Sequence, residues 1–391
     1  MNGTAMNKTD LAAWRSLISR PDATALLAAA ALYLFSALVL PFAANPTVSL
    51  LFVALCALFF FLQTRTLASL IPPAIPAMLL FTASGSMMLP AVFFAIVFGG
   101  ACGAMLLLSA KKPGRDILPL VLLPVAAYLA AFLLGKTPLV ALLTLLPLPV
   151  ALLAAFAVRR CTPFTPAVAG LAAVLGAGLL TAAGIALATL DLLDLSLLPS
   201  FLEALGDAVM AALEEAKALY AEAGVTIELS ETAIRGMLAT LVNLSPAILA
   251  VLCLVTAYFT WRTLAIFLVS FGALPRLPRV LVLPTMSAVA AVLFIISYFT
   301  ALIANAETAT LVGTVAQNVS LILEPGLALF GAGQLLRRDA PRSCLSLLAL
   351  LALVYLVWVN PATALAAAAL FGAVHVLISA YQNVKNSKGE Q

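Results

Sequence analysis

Apolar runs of about the length needed to cross a lipid bilayer follow one another almost without pause along this chain. About 20 mostly apolar residues span a hydrocarbon core of about 30 Å as a helix. Lipid offers no partners to backbone N–H and C=O groups, so each such run must bond its own backbone, and the helix is the form that does so within one segment. Hydrophobic residues make up 64% of the 391 positions and charged residues 9%, where soluble domains carry about 25% charged residues. The reading is all-α: a polytopic transmembrane helix bundle.

Twelve spans are expected, with 10–12 as the range: 24–42, 48–62, 67–81, 89–108, 117–134, 139–158, 167–190, 237–260, 280–304, 311–336, 345–359 and 362–381. The second and third form a re-entrant pair in one alternative, and the last two are a single helix broken at Asn360-Pro361 in another. Lysine and arginine test the count, because short cytoplasmic loops hold the positive residues. With the N-terminus inside, Lys8, Arg15, Arg20, Arg65, Lys111, Lys112, Arg115, Arg159, Arg160, Arg262, Arg276, Arg279, Arg337, Arg338, Arg342, Lys385 and Lys388 fall on the inner side. Only Lys136, Lys217 and Arg235 fall outside. Both termini are therefore expected in the cytoplasm, and the net charge of +4 reflects topology rather than nucleic acid binding.

The expected organisation is a cytoplasmic segment 1–23, a first transmembrane bundle 24–190, an extracytoplasmic acidic segment 191–236, a second bundle 237–382 and a cytoplasmic tail 383–391. The N-terminal apolar run exceeds the usual core of a signal peptide and reads as an uncleaved anchor. Within the acidic segment, Leu202, Leu205, Val209, Leu213, Ala216 and Tyr220 recur at helical spacing opposite carboxylates, the pattern of an amphipathic helix. Its acidity disfavours anionic lipid and suits a cap or lid on the protein's outer face.

Few residues offer chemistry. Gly135-Lys136-Thr137 lacks the earlier glycine of a phosphate loop, since Ala130 stands there. Ser84 and Ser86 have no ordered base, because His375 is the only histidine. Cys56, Cys102, Cys161, Cys253 and Cys344 contain no Cys-x-x-Cys pair and read as small apolar packing groups, with neither disulfides nor metal implied. An enzyme is not expected, nor a cofactor.

The strongest candidate is Glu324, near the middle of the tenth span and followed by Pro325 and Gly326. A charge at that depth costs roughly 2.5–3.5 kcal/mol on insertion scales, so such an acid is protonated, paired or facing water. Gln317, Ser320 and Glu324 are spaced to share a helix face, with Asn318 beside them, and Pro325 is expected to kink the helix and free a carbonyl. In the first half, Pro72, Pro73 and Pro76 interrupt the third span, and Pro147 and Pro149 the sixth. Interrupted spans in two halves point to a transporter's mid-membrane site. Ala95, Gly99 and Gly103, with Gly176 and Gly178, are expected to serve close helix packing.

Four features from the acidic helix through Arg338 resemble the YybS-like family of uncharacterised bacterial membrane proteins. They are the outer amphipathic segment, Pro246 early in the next span, Leu274-Pro275-Arg276-Leu277-Pro278-Arg279 with Pro284 beyond, and Asn318 followed by Gly326-Leu327-Ala328. The family tends to have glutamine before that glycine, where this chain has Pro325 preceded by Glu324. The first six spans resemble, more loosely, the membrane-embedded S-components of energy-coupling-factor vitamin transporters. The resemblance implies a bacterial inner-membrane location and a permease or substrate-binding subunit for a small molecule, driven by an ion gradient or by a separate ATPase partner. The alternative is a non-transporting scaffold that presents the acidic helix and the 274–279 loop to partners of an envelope or cell-division assembly.

Overall fold

The computed structural model describes residues 23–110, 113–134, 142–189, 207, 210, 211, 214, 231–275, 286–307, 311–335 and 359–389. Among them every regular element is a helix. In chain order these are α1 (Ala23–Val39), α2 (Pro46–Thr64), α3 (Ile71–Ser84), α4 (Met88–Ser109), α5 (Pro113–Leu133), α6 (Pro147–Arg159), α7 (Phe164–Thr189), α8 (Glu231–Ser270), α9 (Ala288–Glu307), α10 (Leu311–Leu335) and α11 (Pro361–Gly389). Short 3-10 turns extend α1 over Leu40–Phe42 and precede α3 over Leu67–Leu70.

Side-chain caps and left-handed residues set the helix ends. Asn45 Oδ1 accepts the backbone N–H groups of Thr47 and Val48 at 3.0 and 3.3 Å, meeting donors that the first turn leaves open, and Pro46 occupies the position where no N–H is needed. Asn360 repeats the device for α11, accepting from Ala362 and Thr363 at 3.1 and 3.2 Å. Asn360-Pro361 thus starts a helix. At the other ends, Arg65 and Gly85 stop α2 and α3 with φ of 52° and 61°.

Packing arranges these helices around two cores. In the larger, α4 is buried along most of its length and is surrounded by α1, α2, α3, α5, α6 and α8. Small residues make this possible. A Cβ on Gly100 would come within 2.6 Å of Val150, and one on Gly103 within 2.7 Å of both Ala151 and Tyr33, so α1 and α6 approach the α4 backbone itself. Gly99 meets Ser36 and Pro147 in the same way, and Gly178 of α7 meets Leu146. On another side of α4, Phe60, Phe98 and Phe267 meet with ring centres 5.9–6.0 Å apart, joining α2, α4 and α8 through aromatic edges. The smaller core joins Ala291 and Phe294 of α9, Leu327 and Ala328 of α10, and Ala368, Ala369, Ala373 and Val376 of α11.

The tightest contact in the smaller core is between backbones. A Cβ on Gly331 would overlap the carbonyl oxygen of Ala368, and one on Gly372 would overlap that of Leu327. Small residues recur at every fourth position before it, at Ala364 and Ala368, both buried, which is the pattern that lets two helices touch in lipid.

The 40-residue α8 links the cores. It packs on α4 and α7 of the larger group and on α10 of the smaller. Its span was expected to end at Thr260, ahead of Arg262. The helix instead continues to Ser270, because Trp261, Leu264, Phe267 and Leu268 carry the buried stripe onward at helical spacing.

Outward-facing positions are apolar as well: Leu27, Leu133, Val289 and Leu311 are between 68 and 83% exposed, a surface that water does not favour and lipid does. Among the described residues, seven helices are long and apolar enough to cross a membrane. Shorter apolar helices cover 67–82, 120–133, 147–159 and 288–304, where full spans were expected. In the sixth, helical residues 142–143 are followed by a turn over 144–146, and α6 starts at Pro147. This is a multi-pass membrane protein. The expected eleventh span, nearly all of the acidic segment and the N-terminal 22 residues lie outside the described residues.

Candidate functional site

Prolines inside helices leave the carbonyl four residues earlier without its usual donor, and side-chain hydroxyls take two of those carbonyls in this molecule. In α5, Pro124 offers no N–H to Leu120, and the Tyr33 hydroxyl of α1 donates to the Leu120 carbonyl at 3.1 Å. In α8, Pro246 leaves the Val242 carbonyl, which accepts from Ser245 Oγ at 2.8 Å.

The next turn of α8 is held from α10. Asn318 Nδ2 donates to the Asn243 carbonyl at 2.9 Å, and Asn318 Oδ1 accepts the Ala247 N–H at 3.1 Å. One carboxamide therefore engages both members of an i, i+4 backbone pair, as another peptide group would. The same nitrogen also donates to the Thr314 carbonyl at 2.9 Å, which fixes the side chain on its own helix. Asn318 is thereby committed to joining two helices and has little capacity left for a ligand.

Glu324 is placed differently. Ser320 and Glu324 are buried, 8 and 9% exposed, on the same face of α10 as Ala316 and Leu327, and Gln317 beside them is half-buried. The expected shared face exists. Ser320 Oγ donates to the Gln317 carbonyl at 3.0 Å, so its oxygen retains lone pairs directed away from the backbone. Among the described residues, no side chain donates a hydrogen bond to the Glu324 carboxylate and no cation pairs with it.

Pro325 lies inside α10, which continues unbroken to Leu335. Its missing N–H concerns the Leu321 carbonyl, and no side-chain donor among the described residues takes that oxygen, unlike the carbonyls at Leu120 and Val242. Met286 covers the following turn, its Cε 3.1 Å from where a Cβ on Gly326 would stand.

The first-half prolines sit elsewhere. Pro72 and Pro73 occupy the first turn of α3, and only Pro76 is interior. A first turn needs no intrahelical donors, and the pair stands where the 3-10 turn Leu67–Leu70 passes directly into α3. Among the described elements α3 packs on α4, whereas α10 packs on α8, α9 and α11. These prolines and Glu324 thus belong to different helix groups.

His375 stands between Phe330 and Phe371, with ring centres 6.0 and 6.3 Å away, an arrangement of packing. Cys56, Cys102, Cys161 and Cys253 are buried free thiols, and Cys344 lies outside the described residues.

Sequence reading missed three of these relationships: Tyr33 on Leu120, the Gly331–Gly372 seam, and Asn318 on α8. The prolines at 124 and 246 signal the first and third by requiring some donor nearby, and the Ala364, Ala368, Gly372 spacing signals the second. Comparison with known proteins finds no match to a family model, a curated protein or a solved structure.

Proposed function

We propose that this chain is a permease, or a membrane-embedded substrate-binding subunit, for a small molecule, and that the Glu324 face of α10 contributes the polar contact. The observation that carries the reading is a buried acid with no protein partner among the described residues. An acid kept only for packing is expected to recover its burial cost through a bond to a neighbouring helix, as Asn318 does. Glu324 makes no such bond there, and an intramembrane ionisable group without a structural partner is a functional group by default.

The positive-inside pattern and the YybS-like resemblance support a place in the bacterial inner membrane with both termini cytoplasmic. Since the sequence holds no nucleotide-binding motif, transport in this reading draws on an ion gradient or on a separate ATPase. Thiol accessibility at position 324 tests the proposal, because a transport pathway must be wet there. A sealed position would instead favour a non-transporting scaffold.

A further inference from the structure

We infer that Glu324, the Leu321 carbonyl freed by Pro325, and the Ser320 hydroxyl form a binding site for a single monovalent cation, a proton or a sodium ion. The inference rests on the functional reading above and names the ion.

Helical side chains lean toward the N-terminus of their helix, so Glu324 lies over the turn that carries Ser320 and Leu321. That turn offers three kinds of oxygen: a carboxylate, a carbonyl relieved of its helical donor, and a hydroxyl whose proton is already given to Gln317. The set is all oxygen and suits hard cations. Cations in membranes are coordinated by backbone carbonyls that lack a helical donor, and Pro325 supplies one without breaking α10.

Charge count sets the valence. Glu324 is the only acid on α10, α11 has none between Pro361 and Gly389, and the acids of α8 and α9 are Glu231 and Glu307, each at a helix terminus. One carboxylate neutralises one positive charge. A divalent ion would keep a full uncompensated charge in a low-dielectric setting, which is strongly unfavourable, and calcium calls for six to eight oxygens.

Among the described residues, none supplies the neutralising charge. On the helices packed against α10, the basic residues are Arg235 and Arg262 of α8 and Lys385 and Lys388 of α11, and α9 has none. The remaining titratable groups on these helices are Cys253, Tyr258, Tyr298, His375 and Tyr381. No ion pair or hydrogen bond connects Glu324 to Arg262, Lys385 or these other groups, and His375 is engaged with Phe330 and Phe371. The contrast with Pro124 and Pro246 completes the case. At Leu120 and Val242 a hydroxyl takes the carbonyl that a proline leaves; the Leu321 carbonyl differs from the unfilled Pro72 carbonyl of α3 in lying beside a buried acid.

Infrared difference spectroscopy on the purified full-length protein tests this, reading the carbonyl-stretch band of an un-ionised carboxylic acid in wild type and in Glu324→Gln, which keeps the shape. The expected result is a band present in wild type, lost in Glu324→Gln, and diminished on exposure to sodium or to alkaline pH. A fall on adding sodium chloride at fixed pH, with choline chloride inert, identifies sodium. A fall only as pH rises identifies a proton site.

Pro325→Ala, which returns an N–H to the Leu321 carbonyl, is expected to keep the band and weaken its response to the ion. If no band is assignable to position 324, or if the band ignores both sodium and pH, the cation site is overturned. That failure is distinguishable from failure of the transport reading, since labelling of a cysteine at 324 still reports a wet pathway when no ion binds.

Discussion

Asn318 accepts the backbone N–H of Ala247 at 3.1 Å, and Ala247 directly follows the proline that interrupts α8. The proline and the asparagine are thus parts of one joint, seventy-two positions apart in the chain. Pro246 loosens the helix and Asn318 braces it, with its amide on Asn243 and its oxygen on Ala247. Because α8 belongs to the larger core along its C-terminal half and touches α10 near this joint, the brace also holds the two helix groups together.

Replacing Asn318 by Ala is expected to destabilise the folded protein by about 1–2 kcal/mol, the scale of interhelical hydrogen bonds in bilayers combined with an exposed polar backbone pair. In a Pro246→Ala background, where the helix has its own N–H again, the loss should be smaller. Equilibrium unfolding in mixed micelles, run as a double-mutant cycle, reads this coupling. Additive effects would mean that the two residues act separately.

Gly331→Ala places a methyl group against the Ala368 carbonyl. The two helices must separate, at a cost of about 1–3 kcal/mol for overpacking. Gly333→Ala, two positions away, meets nothing within 4 Å and should leave the melting temperature unchanged or slightly raised, since alanine favours helix. Equal effects at the two positions would remove the seam from the account.

Tyr33→Phe keeps the ring and deletes the donor to Leu120, and an unsatisfied buried acceptor costs about 1–3 kcal/mol. Pro124→Ala should rescue part of this by giving Leu120 a backbone donor. Thermal unfolding of the two single variants and the double variant checks it, with an unchanged melting temperature in Tyr33→Phe counting against the bond.

The sequence made the helices plain because each apolar run must satisfy its own backbone in lipid, and it made the close packing at Gly99, Gly103 and Gly178 readable because small residues serve few other ends there. It was less clear about prolines. Pro72 and Pro73 stand where the 3-10 turn Leu67–Leu70 passes into α3, and Pro147 where a turn over 144–146 passes into α6, with right-handed helical backbone at Leu70 and Leu146. Arg262 suggested a membrane edge, yet the buried stripe through Trp261 and Phe267 carried α8 past it.

The sequence placed Asn318 beside the candidate site, and the fold commits it to a partner on α8. That partner was not legible, since nothing along one helix states which other helix lies against it. Glu324 shows the converse: the sequence flagged it for lacking any local partner, and the fold brings none among the described residues.

The most direct measurement is labelling of Glu324→Cys, in a version with the five native cysteines replaced, by a small membrane-impermeant thiol reagent. Leu327→Cys, at a position fully buried in the smaller core, serves as the dry control, and a folding check accompanies both. The account predicts labelling at 324 from at least one side of the membrane and none at 327. A folded protein in which 324 stays unlabelled from both sides would contradict a wet site on α10 and leave Glu324 as a packing residue.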